Sequence, residues 1–161
     1  MPILNPCCFA KLTNFTTEFS NAKNYSNTIK YSATTYFKTK INLDFGFNYK
    51  EVAYKSGKIQ LYGWLLENKD SNKAIILSHG RGTNRLGVLR YLTLLKELKL
   101  NEQYSIFIPD LRNSGKSDES KTYMGYCFGQ DIFHTMEMLN SDYKINNFIL
   151  YGFSQGAIGS A

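Results

Sequence analysis

The sequence predicts an α/β fold, a mostly parallel sheet entered through an N-terminal hairpin. Three observations predict it. Three short apolar runs, Ala74-Ile75-Ile76-Leu77, Tyr104-Ser105-Ile106-Phe107-Ile108 and Phe148-Ile149-Leu150-Tyr151, are bounded by turn residues and do not alternate with polar ones; strands of a parallel sheet, covered on both faces, read this way. The stretches between the runs repeat their apolar residues at helical spacing. Ahead of them, two alternating segments flank a glycine turn.

In chain order, residues 1–45 are polar and rich in Thr, Asn, Ser and Lys, with irregularly spaced aromatics. Neither the helical nor the strand period persists there, so an N-terminal extension, partly disordered and draping its aromatics over the domain, is expected. The domain proper is expected over 46–161. Glu51 to Lys55 alternates, Ser56-Gly57-Lys58 turns, and Ile59 to Leu66 follows as a second β-rich segment, which together make a hairpin. Trp64 reads as core packing, and Asn68–Lys73 as a loop. Between the first two apolar runs, Leu89, Leu92, Leu95 and Leu98 share one helical stripe within Leu86 to Leu100, with Lys96 and Lys99 in the last turn, where cations complement the helix dipole. Between the second two, Ile132, Met136 and Leu139 line one face of a helix expected from Asp131 to Leu139, with Asp131 in its first turn. Strand, helix, strand, helix, strand is a right-handed βαβαβ arrangement.

Composition narrows the function classes. A chain of 161 residues can bury one real core, and no apolar run is long enough to span a membrane. The segment from Met1 to Lys11 lacks a basic stretch followed by a sustained apolar one, so a cytoplasmic location is expected. Cys7, Cys8 and Cys127 show neither metal-ligand spacing nor a C-x-x-C pair, and free thiols in a reducing compartment are expected. The net charge of +6 comes from scattered lysines without a run of five, which describes solvated faces and not a nucleic-acid surface.

In open parallel sheets ligands bind beyond the carboxyl ends of the strands, so the residues ending each run carry the chemistry. The third run ends in Gly152-Phe153-Ser154-Gln155-Gly156. Its two glycines permit a sharp strand-to-helix turn that lifts the Ser154 hydroxyl above the sheet and leaves the Gln155 amide at a helix N-terminus, where unpaired N–H groups point outward. The first run ends in Ser78-His79-Gly80-Arg81-Gly82. His79-Gly80 lets the backbone fold back so that the Arg81 amide becomes a second donor to a developing oxyanion. His79 itself reads as a hydrogen-bonded turn residue, and the Arg81 guanidinium as solvent-facing. The second run ends in Pro109-Asp110-Leu111-Arg112-Asn113-Ser114-Gly115-Lys116-Ser117. Its Gly115-Lys116-Ser117 does not make a phosphate loop, because Asp110 stands where the first glycine belongs. No G-x-G-x-x-G follows a strand, so a dinucleotide site is not expected.

Taken together, these segments resemble the α/β-hydrolase superfamily. His79-Gly80-Arg81-Gly82 is similar to its oxyanion loop, Asp110 to Ser117 to its D-x-R-G-x-G-x-S segment, and Gly152 to Gly156 to its nucleophile elbow; the match runs from about Tyr49 to Ala161. Asn113 stands where the pattern often has Gly, and Asn tolerates the left-handed conformation. The resemblance implies a serine hydrolase cleaving an ester, thioester or amide of a small-molecule acyl substrate through an acyl-enzyme. Ser154 would be the nucleophile, and the backbone amides of Gln155 and Arg81 the oxyanion donors, with His79, Gly80, Gly152 and Gly156 supporting the turns. No metal or organic cofactor and no nucleic-acid partner is implied. In the family, the chain continues past the elbow helix with more strands and helices, and the triad acid and then the histidine lie on those later loops. The resemblance therefore also implies an incomplete α/β-hydrolase fold lacking the C-terminal strands, inactive alone, with the missing C-terminal half as a partner. Asp110 would mainly shape a loop, and His134, within a helix, would lie away from the strand ends. The alternative is a catalytically dead remnant, or an interaction module using the sheet edge left exposed at the strand ending in Tyr151.

Overall fold

The computed structural model describes residues 48–161; the expected extension over 1–45, with Cys7 and Cys8, lies outside the described residues. The elements are β1 (Lys50–Ser56), β2 (Ile59–Leu66), β3 (Lys73–Ser78), α1 (Arg90–Glu97), β4 (Ser105–Asp110), α2 (Tyr126–Tyr143), β5 (Asn147–Gly152) and α3 (Gln155–Ser160), with single 3-10 turns at Arg85–Val88, Leu100–Glu102 and Tyr123–Gly125. The five strands form one sheet in the order β1-β2-β4-β3-β5. β1 and β2 are the expected hairpin, with Ser56 opposite Ile59 and Gly57 at φ 60° in the turn. β2 pairs antiparallel with β4, and β3 pairs parallel with both β4 and β5. Only β2 therefore runs against the other four.

Each buried strand feeds alternate residues to two cores, as the two-residue strand period requires. Leu61, Leu65, Ala74, Ile76 and Phe107 meet Phe128, Ile132, Met138 and Leu139 of α2 on one face. Trp64, Leu66, Ile75, Leu77, Ile106 and Ile108 meet Leu86, Val88, Leu89, Leu92 and Leu95 on the other. Trp64 is core packing, as expected, with the Arg85 guanidinium 4.6 Å over its ring. With α1 and α2 on opposite faces, the central strands are fully covered, which is why their sequences do not alternate.

Several boundaries differ from expectation, each for a physical reason. Leu98 leaves the helical stripe: it is the C-cap of α1 and is 58% exposed, while Leu92 and Leu95 are buried. α2 starts at Tyr126 and not at Asp131, directly after Gly125 at φ 97°. Asp131 is accordingly in its second turn, and its carboxylate binds a buried arginine instead of the helix dipole. β5 is not covered on both faces. Phe148 and Leu150 pack towards α2, whereas Ile149 and Tyr151 are each 45% exposed, because β5 is an edge strand and α1 stops short of its outer face. Cys127, fully buried in α2, is disulfide-bonded, which corrects the free-thiol expectation at that residue. Among the described residues no helix is long and apolar enough to cross a membrane.

Candidate active site

The carboxyl ends of β3, β4 and β5 bring the three motifs together. β5 ends at Gly152, Phe153 donates its N–H to the Ser78 carbonyl at 3.0 Å, and α3 begins at Gln155. Between them Ser154 adopts φ 51°, ψ −114°. A non-glycine residue gains nothing locally from such a conformation, which costs on the order of 1–3 kcal/mol. The surrounding contacts impose it. A Cβ on Gly152 would overlap the Gly156 carbonyl, and one on Gly156 would lie 2.6 Å from the His79 carbonyl oxygen and 2.7 Å from that of Ser78. The first turn of α3 thus sits directly against the end of β3, closer than any side chain permits.

The same closeness joins the first motif to the third. A Cβ on Gly80 would sit 3.3 Å from Ser154 Cβ, so the His79-Gly80 backbone lies beside the elbow. Arg81 follows one residue later, exposed as expected. Ser154 is exposed, and among the described residues no hydrogen bond engages its hydroxyl. Gln155 is the first residue of α3, so its amide has no carbonyl one helical turn back to donate to.

His79 is a buried turn residue. Its Nε2 accepts the Leu111 N–H at 3.1 Å, so Nδ1 carries the proton and donates to the Gly80 carbonyl at 2.8 Å. Burial holds its pKa below the usual 6.5, against the opposite pull of Asp110 and of the Gly80 carbonyl. The imidazole is neutral, with both nitrogens engaged. His134 lies in α2, with Nδ1 2.7 Å from the Gln130 carbonyl and 3.2 Å from Ser56 Oγ at the end of β1. Among the described residues β1 and β5 are the two edges of the sheet, and four strand spacings of ~4.8 Å put them about 19 Å apart. The sequence contains two histidines, and neither reaches Ser154 as a base.

Asp110, fully buried, ties the loop after β3 to the loop after β4. Its Oδ1 accepts the Arg85 N–H at 2.9 Å, its Oδ2 accepts the Lys116 N–H at 3.0 Å, and the Arg85 Nε lies 3.4 Å from Oδ2. Glu51 extends the brace, pairing with Arg85 at 3.0 Å and Lys116 at 2.7 Å. Burial pushes its carboxyl pKa up, but the Lys116 hydrogen bond and the charges of Arg85 and Lys116 outweigh burial and hold it below the ordinary value. Asn113 takes φ 65°, and its side chain accepts the Ser120 N–H at 2.7 Å and donates to the Ser120 carbonyl at 2.8 Å, so the asparagine closes its own turn.

Sequence reasoning missed the second brace. Arg112 makes two parallel bonds to Asp131, Nε to Oδ2 at 2.9 Å and Nη2 to Oδ1 at 2.7 Å, while its own N–H reaches Oδ2 at 3.1 Å and Ser56 Oγ reaches Oδ1 at 2.8 Å. Both partners are buried. The available signal was an Asp among the apolar residues of α2 together with an Arg in the loop after β4, but their pairing is long-range.

No family model matches the chain, and no curated protein matches it. Solved structures do. The esterase Pf2001 of Pyrococcus furiosus aligns with a TM-score of 0.60 at 29% identity, over 72% of this chain and 46% of its own. A T131D variant of a candidate epoxide hydrolase from Pseudomonas aeruginosa aligns at 0.55 and 22%, over 74% and 37%. Cfl2 of Burkholderia cenocepacia aligns at 0.54 and 20%, over 70% and 35%. The chain spans less than half the length of each of these.

Proposed function

We propose, from the premise that residues 48–161 form part of an α/β-hydrolase fold, that this chain supplies the nucleophile and oxyanion donors of a serine hydrolase. The single observation that carries the reading is the backbone of Ser154, held at φ 51° at the N-cap of α3 and packed against Gly80. Strain of this kind persists only where the surroundings over-determine it, and such residues cluster at active sites.

In the reaction, Ser154 Oγ attacks the carbonyl carbon of the substrate and gives its proton to a base. The tetrahedral oxygen receives the N–H groups of Gln155 and Arg81. The leaving group departs with a proton, and water then releases the acyl group by the same path. Both histidines of this chain are committed elsewhere, so the base and the acid that orients it come from polypeptide outside this sequence. The 161-residue chain alone is therefore a very slow catalyst. Removing the histidine of a serine triad costs on the order of 10⁶ in turnover, and the remaining donors leave roughly 10³-fold over water.

Chemistry selects among the activities carried by the similar solved structures. A serine alkoxide opening an epoxide would form an ether, which water does not cleave under these conditions, and the enzyme would be spent after one event. An acyl-serine is hydrolysed. An ester, thioester or amide is the substrate class that lets Ser154 turn over.

The location proposed is cytoplasmic. A reducing compartment would reduce the disulfide at Cys127, so titration of free thiols in protein isolated with its native redox state tests the location, and an intact disulfide would overturn it.

The test of the activity uses the chain as it exists. A fluorophosphonate probe, with and without added imidazole as a diffusible base, is expected to label Ser154 slowly, with the rate rising with imidazole and no labelling in Ser154→Ala. Folded protein that never labels at Ser154 at any imidazole concentration overturns the proposal.

A further inference from the structure

The peptide between Gly80 and Arg81 is a loose link in the site. A Cβ on Gly80 would lie 3.3 Å from Ser154 Cβ and 3.4 Å from the Phe153 carbonyl oxygen, so the close approach to the elbow favours glycine there. Gly82, two residues on, takes φ 75°. Glycines on both sides of Arg81 leave the peptide planes between them free to rotate, and a rotated plane aims its N–H elsewhere.

His79 restricts that rotation. Its Nδ1–H donates to the Gly80 carbonyl at 2.8 Å, and its Nε2 accepts the Leu111 N–H at 3.1 Å. β3 lies between β4 and β5 in the sheet, with Leu111 just beyond the end of β4 and Ser154 just beyond the end of β5. The imidazole, fixed on Leu111, therefore draws the Gly80 carbonyl to the β4 side. No cis peptide occurs among the described residues, and in a planar trans peptide the C=O and N–H point in opposite directions. The Arg81 N–H is accordingly turned to the β5 side, where Ser154 lies. The anchor is itself held. Leu111 is fully buried, its carbonyl accepts the Ser114 N–H at 3.0 Å, and the next amide, that of Arg112, donates to Asp131.

We infer that His79 is the positioning residue of the oxyanion hole: its ring fixes the Gly80–Arg81 peptide so that the Arg81 N–H faces the oxygen that develops over Ser154. This role presupposes Ser154 as the nucleophile and adds to that chemistry a residue that neither touches the substrate nor moves a proton. The two ring nitrogens contribute differently. Nε2 satisfies the buried Leu111 N–H and serves stability. Nδ1–H sets the direction of the Gly80 carbonyl and serves the reaction. Packing also holds the ring, which is fully buried.

Two amide substitutions separate these contributions. His79→Asn places an N–H where Nδ1 stands but leaves the Leu111 N–H without an acceptor. His79→Gln reaches the Leu111 N–H with its side-chain oxygen but places no donor at the Nδ1 position. Fluorophosphonate labelling of Ser154 is followed in the full chain with imidazole as diffusible base, each rate expressed per folded molecule, alongside denaturation midpoints. Stability is expected to fall from wild type to His79→Gln to His79→Asn. Labelling reverses the order of the two variants: His79→Gln and His79→Ala fall by about 100-fold, the loss that follows one missing oxyanion donor, and His79→Asn recovers about tenfold of it. Should His79→Asn or His79→Ala fail to fold, the rate of His79→Gln against wild type decides alone. A wild-type chain that labels at Ser154 while His79→Gln labels equally fast, or variant rates that follow the order of stability, overturns the inference and leaves the nucleophile standing. A wild-type chain that never labels at Ser154 overturns the nucleophile, and the inference with it.

Discussion

The loops after β3 and β4 and the turn after β5 meet at one end of the sheet, yet they are stabilised in opposite ways. The first two are cross-braced by buried charge: Asp110 receives N–H groups from both loops, and Asp131 receives three from Arg112. The turn after β5 has no such brace. It is held by the absence of side chains at Gly152 and Gly156 and by the closeness of β3, and it keeps Ser154 in a conformation it would not choose alone. The difference separates scaffold from site. Satisfied polar groups make loops rigid and chemically quiet, while an exposed, strained hydroxyl is held ready by the rigidity of its neighbours.

Four perturbations sharpen this contrast. The largest effect is expected on the braced side. Asp131→Ala leaves the Arg112 guanidinium buried without its carboxylate, and chemical denaturation should show a loss of about 3–5 kcal/mol, with Asp131→Asn losing less because it keeps acceptors for part of the set. Next, Gly156→Ala drives a methyl group into the backbone carbonyls of Ser78 and His79. A loss of about 1–3 kcal/mol is expected, and because α3 must move away from β3, fluorophosphonate labelling of Ser154 should drop further than stability does. Equal loss of both would mean that the turn has no special geometry to lose. The third change has the opposite sign. Ser154→Gly relieves the positive φ and should raise stability by roughly 1 kcal/mol, seen as a higher Tm, while abolishing labelling; a lower Tm would show that Ser154 is not strained.

The smallest effect concerns His79, whose folded pKa is depressed below its unfolded value of about 6.5. The unfolded state then binds the proton first. Stability should be at its plateau above pH 6.5 and decline as pH falls below that value towards the folded pKa. Denaturation midpoints measured between pH 5 and 8 should show this slope, and His79→Gln, less stable throughout, should have a flatter profile over that window. A slope that persists unchanged in the variant would assign it to another group.

Much of this architecture was legible in the sequence because it depends on local pattern. The hairpin, with β2 spanning Ile59–Leu66 as expected, follows from alternation around a glycine turn. Asn113 at φ 65° follows from the residue type that tolerates it. The elbow residues were located because glycine at fixed spacing around a serine has one structural use after a buried strand. The errors came where neighbours in space, not in sequence, decide. Leu98 fits the helical stripe but caps the helix in solvent. Asp131 fits a helix start but lies in the second turn facing Arg112. β5 reads like β3 and β4, yet one of its faces is open.

By itself, the sequence determined the order of strands and helices, the glycine-flanked serine and the fact that only two histidines are present, since periodicity and residue identity are local properties. The tertiary structure decided which polar groups are consumed and which are left available. His79 is spent on the Leu111 N–H and the Gly80 carbonyl, His134 is carried to the far edge beside Ser56, and Ser154 remains exposed at the near edge. Hydrogen-bond saturation and distance across a sheet arise from packing between segments far apart in the chain, and no reading of spacing along it contains them.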